Sequence, residues 1–270
     1  MRDQPAQQRA TSIAPDAQQR IHSSAEHGQR RLVAALKFLR AHLGELGFLY
    51  VGVIAPLLLF GMLAKRVGAG AGAPLPFDAP LMMALREWAW GGAESAALLL
   101  ADIGYRWGVV PVDIAIVLGL LLFGRVRKGL FFAAAVGGAA LLNVAAKLLF
   151  ARMRPELWET IVDESSFSFP SGHAMGSMTL ALGVVVLLWD TRWRWPALLL
   201  GLLFALAVSA SRVWLGVHYP SDILAAWAAA AAWVFGVAHF FRLRRRKPSG
   251  EPVPTEPKHP QSRHDPAKEL

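Results

Sequence analysis

Six long apolar runs constrain this chain more than any other feature. They are Leu46–Ala64, Trp107–Phe123, Leu130–Phe150, Ala174–Trp189, Pro196–Leu215 and Ile223–Phe241. At ~1.5 Å of rise per residue, the first run covers about 28 Å as a helix, close to the hydrocarbon thickness of a bilayer. Inside hydrocarbon every backbone N–H and C=O must be paired within its own segment, so such runs form helices. A hydrophobic content of 54% against 17% charged residues, with a mean hydropathy of +0.38, separates the chain from ordinary soluble domains. The first run begins well inside the chain and lacks a small-residue cleavage site, so it reads as an uncleaved span. The predicted fold is all-α: a polytopic bundle of six transmembrane helices.

The net charge of +9 lies mostly in the tails. Residues 1–45 carry seven Lys/Arg against four Asp/Glu, and 242–270 carry eight against four, leaving +2 between them. Basic tails beside apolar spans fit an anionic leaflet, and the sequence predicts no nucleic-acid partner. The absence of cysteine excludes disulfides and thiolate metal sites. Residues 1–28 lack an apolar period and read as disordered. Gln29–Leu43 reads as an amphipathic helix, with Leu32, Leu36, Leu39 and Leu43 set against Arg30, Arg31, Lys37 and Arg40. The expected division is a cytoplasmic tail over 1–45, a membrane domain over 46–241 and a basic, Pro-rich cytoplasmic tail over 242–270.

Charge sets the topology. The turn at 124–129 has three Lys/Arg, the turn at 190–195 has two and 242–247 has five; under six spans all fall on one side with the basic N-terminal segment. By the excess of positive charge on inner loops, that side is cytoplasmic. The opposite side receives 65–106, 151–172 and 216–222, where the remaining polar clusters gather. Within 65–106 the sequence offers a Gly/Pro-rich loop, a short helix at Leu81–Trp90 and an apolar stretch, Glu94–Ile103, too short to span. Asp113, near the start of the second span, reads as interfacial and reached by water.

Three segments on that side carry chemistry. In Phe167-Ser168-Phe169-Pro170-Ser171-Gly172-His173, Pro170 ends any helix from upstream and Ser171 is a good N-cap for the next. Gly172 permits close backbone approach, and His173 stands in the first turn of a helix whose N-terminus attracts anions. In Lys147-Leu148-Leu149-Phe150-Ala151-Arg152-Met153-Arg154-Pro155 the seven-residue spacing is expected to put Lys147 and Arg154 on one helical face, with Pro155 stopping the helix. The third segment, Ser211 to Asp222, holds Arg212 at the end of the fifth span, then His218 and Asp222 four apart across Pro220. Singly these features read blandly: a capped helix, a snorkelling lysine, an acid at a helix start. Together they converge on one membrane face. Fixed cations and backbone N–H groups suit a phosphoryl group, and two histidines divide nucleophilic attack from protonation of the leaving oxygen. Two histidines without further ligands make a poor zinc site, so neither a metal nor another cofactor is expected.

Lys-x6-Arg-Pro at 147–155, Pro-Ser-Gly-His at 170–173 and Ser-Arg-x5-His-x3-Asp at 211–222 resemble the three signature motifs of the type 2 phosphatidic acid phosphatase (PAP2) superfamily. The resemblance implies a six-helix membrane bundle with a metal-independent pocket near the outer surface. It implies His218 as nucleophile forming a phosphohistidine, Asp222 orienting it, and His173 as general acid and then base. Lys147, Arg154, Arg212, Ser171 and Gly172 would hold the phosphate. The expected activity is a lipid phosphate or diphosphate phosphatase of the bacterial inner membrane, acting on undecaprenyl diphosphate or phosphatidylglycerophosphate, with its pocket extracytoplasmic and both termini cytoplasmic. A phosphotransferase of the same superfamily and a non-enzymatic anion or lipid transporter are the alternatives. The choice of lipid and the oligomeric state stay open.

Overall fold

A computed structural model describes residues 29–38, 43–88, 91–162, 164–241 and 243, and among these the regular elements are all helical. Residues 43–49 lead through a π-helical turn, Tyr50–Ile54, into α1 (Ala55–Ala69). Two short helices follow, α2 (Asp78–Glu87) and α3 (Ala93–Ile103). The remaining elements are α4 (Val109–Leu122), α5 (Val126–Phe150), α6 (Gly172–Leu187), α7 (Arg194–Trp214) and α8 (Pro220–Phe240). Residues 29–38 are helical within the amphipathic segment predicted at Gln29–Leu43, whose Leu39 and Arg40 lie outside the described residues. So do residues 1–28 and 244–270, on which the predicted disorder and the Pro-rich tail fall.

Among the described residues four helices are long and apolar enough to cross a membrane: the one ending at Ala69, and α5, α7 and α8. With 14 and 16 residues, α4 and α6 are apolar but shorter. Large apolar side chains cover the outside of the bundle; Leu141, Leu149 and Leu200 are each more than 60% exposed. A soluble surface would not tolerate such a belt, whereas hydrocarbon solvates it. This is a multi-pass membrane protein.

The core is α6 wrapped by α5, α7 and α8. Phe131 and Phe132 of α5 meet Met175, Met178 and Leu182 of α6 there, with Val234 of α8. Close approach rests on small residues, since apolar lipid supplies little hydrophobic force between helices. Along α8, Ala225, Ala226, Ala228, Ala230 and Ala232 are buried. Gly138 of α5 lies so near Trp233 that an added Cβ would stand 2.2 Å from the indole. That indole nitrogen donates to the Ala134 and Ala135 carbonyls at 3.2 and 3.1 Å.

The two ends of the bundle differ in chemistry. At the basic end Lys128 Nζ donates to the Leu187 carbonyl at 3.3 Å and Arg127 to the Phe241 carbonyl, so the start of α5 meets the ends of α6 and α8. At the other end the loop 70–77, α2 and the 151–171 loop close over the end of α7 and the start of α8. Arg86 of α2 stacks on Trp214 at 4.1 Å and on Trp158 at 5.4 Å from the ring centres. Trp158 in turn lies against Gly216, whose φ of +76° favours glycine. The three segments expected to share one side, 65–106, 151–172 and 216–222, are thus in mutual contact.

Helix α6 does not rise as far as its neighbour. Its first residue, Gly172, is level with Asn143: a Cβ there would be 3.2 Å from Asn143 Oδ1, and Asn143 Nδ2 donates to the Pro170 carbonyl at 3.1 Å. Asn143 lies seven residues before the end of α5 at Phe150, about two turns or ~10 Å of helix. The start of α6 therefore lies about two turns short of the end of α5.

Candidate active site

Ser171 is the N-cap of α6, extended at φ −66° and ψ 122°, and its Oγ accepts from the Ala174 N–H at 3.5 Å. The Ser171 N–H donates to the Asp222 carbonyl at 3.3 Å, tying the start of α6 to that of α8. The sequence places this cap correctly because Pro170 forbids a helical approach and serine satisfies a free first-turn N–H. His173 follows in the first turn, its ring 5.1 Å from that of Tyr105. Arg212, His218, Lys147 and Arg154 all lie within electrostatic reach of His173.

The expected helical face joining Lys147 and Arg154 is not present. Helix α5 stops at Phe150 because Ala151 takes a left-handed φ of +44°, so Arg154 stands in an irregular loop and Pro155 does not end the helix. The two cations meet by another route. Lys147 Nζ donates to the Phe167 carbonyl at 2.6 Å and to Ser166 Oγ at 2.9 Å. Arg154 donates to the same Ser166, at its carbonyl (2.8 Å) and its Oγ (3.1 Å). Arg212 is buried at the end of α7, and its Nε has no partner among the described residues.

One acid sits between these guanidiniums. Glu164 Oε2 accepts from Arg154 at 3.2 Å and Glu164 Oε1 accepts from Arg212. A carboxylate in this position already does what a phosphate oxygen pair would do, bridging two forks of fixed donors. Glu164, Ser166 and Ser168 escaped the sequence reading because the 151–171 loop has no periodicity from which a direction could be read.

His218 and Asp222 stand where their spacing predicts, across the N-terminus of α8. His218 Nε2 is 3.3 Å from Arg154 Nη1, and its Nδ1 is 3.5 Å from Asp222 Oδ2, a loose ion-pair distance rather than a tight hydrogen bond. Guanidinium only donates, so Nε2 must be the acceptor and the ring proton belongs on Nδ1, facing the carboxylate. Burial pushes the His218 imidazole down to about 4; the Asp222 carboxylate opposes that shift and Arg154 adds to it. Nε2 therefore carries the unprotonated lone pair, which accepts from Arg154.

Asp222 is fully buried and held at both oxygens. Oδ2 accepts from Ser168 Oγ and from the Tyr219 N–H at 2.9 Å, while Oδ1 accepts from Arg152 Nη1 at 2.5 Å. Arg152, read in the sequence only as a spacer within Lys-x6-Arg, is one of the largest wholly buried side chains in the protein.

Below the site, α4, α5 and α6 enclose a mostly apolar cavity of about 400 Å³ that reaches Gly172 and Asn143. Asp113 Oδ1 and Thr179 Oγ1 face it, buried and without hydrogen-bond partners among the described residues. Asp113 is half-buried and lines this cavity with one carboxylate oxygen.

Comparison with known proteins gives the same motifs a family. The chain is 35% identical over 136 residues to the undecaprenyl-diphosphatase of Sulfolobus acidocaldarius, covering 48% of this chain and 62% of the relative. It is 29% identical over 130 residues to phosphatidylglycerophosphatase B of Bacillus subtilis, covering 46% and 64%. The alignments thus span less than two thirds of these curated relatives. The fold resembles the crystal structure of a transmembrane PAP2-type phosphatidylglycerolphosphate phosphatase from Bacillus subtilis, with a TM-score of 0.62 at 23% identity over 73% of this chain and 98% of that one. Residues 128–246, which contain Lys147, Arg154, the start of α6, Arg212, His218 and Asp222, match the PAP2 superfamily.

Proposed function

We propose that this protein is a membrane lipid phosphate or diphosphate phosphatase that works through a phosphohistidine. One observation carries the reading: Arg154 and Arg212 share a single carboxylate beside the unprotonated Nε2 of His218 and the start of α6. That is an anion site with a nucleophile at its edge. Substrate phosphate displaces Glu164, takes the two guanidiniums and gains the unpartnered Nε–H of Arg212; Lys147 and the Ser171–Gly172 backbone complete the cradle. His218 Nε2 attacks phosphorus, the N–P bond forms as the P–O bond to the lipid breaks, and His173 gives its proton to the departing oxygen. Asp222 balances the charge that grows on the His218 ring. Water, deprotonated by His173, then cleaves the N–P bond and releases inorganic phosphate. The cavity beside α4 receives the lipid chain, and the names of the two relatives direct the first tests to undecaprenyl diphosphate and phosphatidylglycerophosphate.

The same reading makes the protein a six-span bundle of the bacterial inner membrane, α4 and α6 included, with this site extracytoplasmic and both termini cytoplasmic. The basic turns support it, since they gather at the end of the bundle opposite the site. Purified protein should release phosphate from a panel of lipid phosphates, and His218→Ala should abolish release while preserving the fold. Wild-type turnover by that variant overturns the nucleophile. For sidedness, a cysteine at Glu159 should react with an impermeant maleimide in intact cells, and one at Lys128 only after permeabilisation. The opposite pattern overturns the topology.

A further inference from the structure

Arg152 spends every donor it has. Nε donates to the Gly72 carbonyl at 3.1 Å. Nη1 donates to Ser221 Oγ at 2.8 Å and Asp222 Oδ1 at 2.5 Å. Nη2 donates to the Ala73 carbonyl at 3.1 Å and Asp78 Oδ2 at 3.0 Å. Its guanidinium also lies 4.0 Å over the Tyr219 ring. Asp78, the first residue of α2, is as fully held: it accepts from the Leu75 N–H at 2.8 Å, the Ser221 N–H at 2.9 Å and Ser221 Oγ at 2.7 Å. The side chains of Arg152, Asp78 and Asp222 are all completely buried.

The charge count is the telling feature. A buried guanidinium needs one carboxylate to be neutral, yet this one has two, so the group carries a net charge of −1 out of water. Uncompensated buried charge is costly, and a purely structural clamp would gain nothing from it. The excess faces the imidazole and the cations of the site, since Arg154 and Lys147 also lie within electrostatic reach of Asp222. Asp222 Oδ1 is taken by Arg152, and Oδ2, steadied by Ser168 and the Tyr219 N–H, is the oxygen that faces His218 Nδ1. Resting on the phosphatase reading above, we infer that Arg152 and Asp78 are positioning residues for the phosphotransfer step: Arg152 fixes which oxygen Asp222 turns to His218, and Asp78 sets how much of the Asp222 charge remains for the imidazole. The outer segment 70–78 thereby becomes part of the catalytic apparatus, although it touches neither phosphate nor histidine.

The two residues act on His218 with opposite sign. With Asp78→Asn, Arg152 has only Asp222 to balance it and draws that carboxylate's field away from the imidazole, so protonated His218 is less favoured. With Arg152→Gln, Asp222 has no counter-cation and its whole charge serves the imidazole, so protonated His218 is more favoured. The other charged or titratable groups facing His218 are Arg154 from the loop, Arg212 from α7 and His173 from α6; Lys147 lies within electrostatic reach of Asp222. None of these is altered by the two substitutions.

The test is the pH dependence of kcat/KM for phosphate release by purified full-length protein, with active sites counted by orthovanadate binding. The acid limb should move down by about half a pH unit or more in Asp78→Asn and up by a similar amount in Arg152→Gln. Per vanadate-binding site, kcat should fall about 10- to 100-fold in each, with KM and vanadate affinity within about twofold of wild type. Limbs that stay fixed or move the same way, with wild-type kcat per site, overturn the inference and leave the network a scaffold. If neither variant binds vanadate, Arg152→Lys decides. It keeps the positive charge but not the fork that holds Asp78 and Asp222 together, and wild-type kcat per site in that variant overturns the inference. Failure of the wild-type protein to release phosphate from any lipid phosphate would instead defeat the phosphatase reading itself.

Discussion

On the proposed reading Glu164 holds the place of the substrate phosphate, so Glu164→Gln should strengthen anion binding. Its two oxygens reach Arg154 and Arg212, whose side chains are 15% and 2% exposed, while Glu164 itself is 24% exposed. Hydrogen bonds between charged groups are worth about 1.5–3 kcal/mol each when desolvated and neutral ones about 0.5–1.5, and partial exposure reduces the former. Glutamine keeps one oxygen and the side-chain length but removes the charge, so the competing contact weakens by about 1.4–2 kcal/mol. An incoming phosphate or vanadate no longer works against that difference, and its inhibition constant should fall about 10- to 30-fold. The assay is orthovanadate inhibition of phosphate release by the detergent-solubilised protein, with inorganic phosphate as a second inhibitor. An inhibition constant unchanged within twofold, or raised, would show that Glu164 shares the pocket with phosphate instead of yielding it.

The depressed His218 imidazole should place the acid limb of kcat/KM well below 6.5, towards 4, with activity rising as pH climbs through it; a limb at or above 6.5 refutes the assignment. The same shift makes the unfolded chain bind more protons than the folded one between those values, so His218 adds stability as pH rises from about 4 to 6.5. Gly138→Ala should destabilise the bundle by about 1–3 kcal/mol, since the new methyl meets the Trp233 indole, and lower its melting temperature by several degrees; an unchanged melting temperature would show that α5 and α8 are free to separate. Phosphate release should survive EDTA, because side chains supply the positive charge around the phosphate; loss on chelation, restored by magnesium or zinc, would reverse that.

Hydropathy marked the apolar runs well because lipid-facing helices have no polar side to blur them. Leu130–Phe150 and Pro196–Leu215 differ from α5 and α7 by a few residues at most, the basic turns being wound into the helices. The cap at Ser171 and the His218–Asp222 pair were legible for a similar reason: both are set by chain-local geometry at a helix start. Contacts made through irregular backbone were not. Nothing about an alanine announces the left-handed Ala151 that breaks α5 early, so Lys147 and Arg154 were joined by the wrong route. Asp78 is 74 residues from Arg152 and belongs to no motif, and its burial follows from the docking of the start of α2 against Arg152 and the start of α8. A charged residue that follows a Gly/Pro-rich loop ordinarily faces water, and this one does not.

The low start of α6 has a consequence for hydration. With 16 residues against the 25 of α5, its first N–H groups lie about two turns inside the rim set by Phe150. A phosphoryl group that reaches them gives up most of its own water and receives a fixed shell of N–H and guanidinium donors in exchange. How many water molecules accompany it is then governed by where a single helix begins. Another turn added to the N-terminus of α6 would carry these N–H groups towards the level of Phe150, and on the proposed reading a bound phosphoryl group would then keep more of its water.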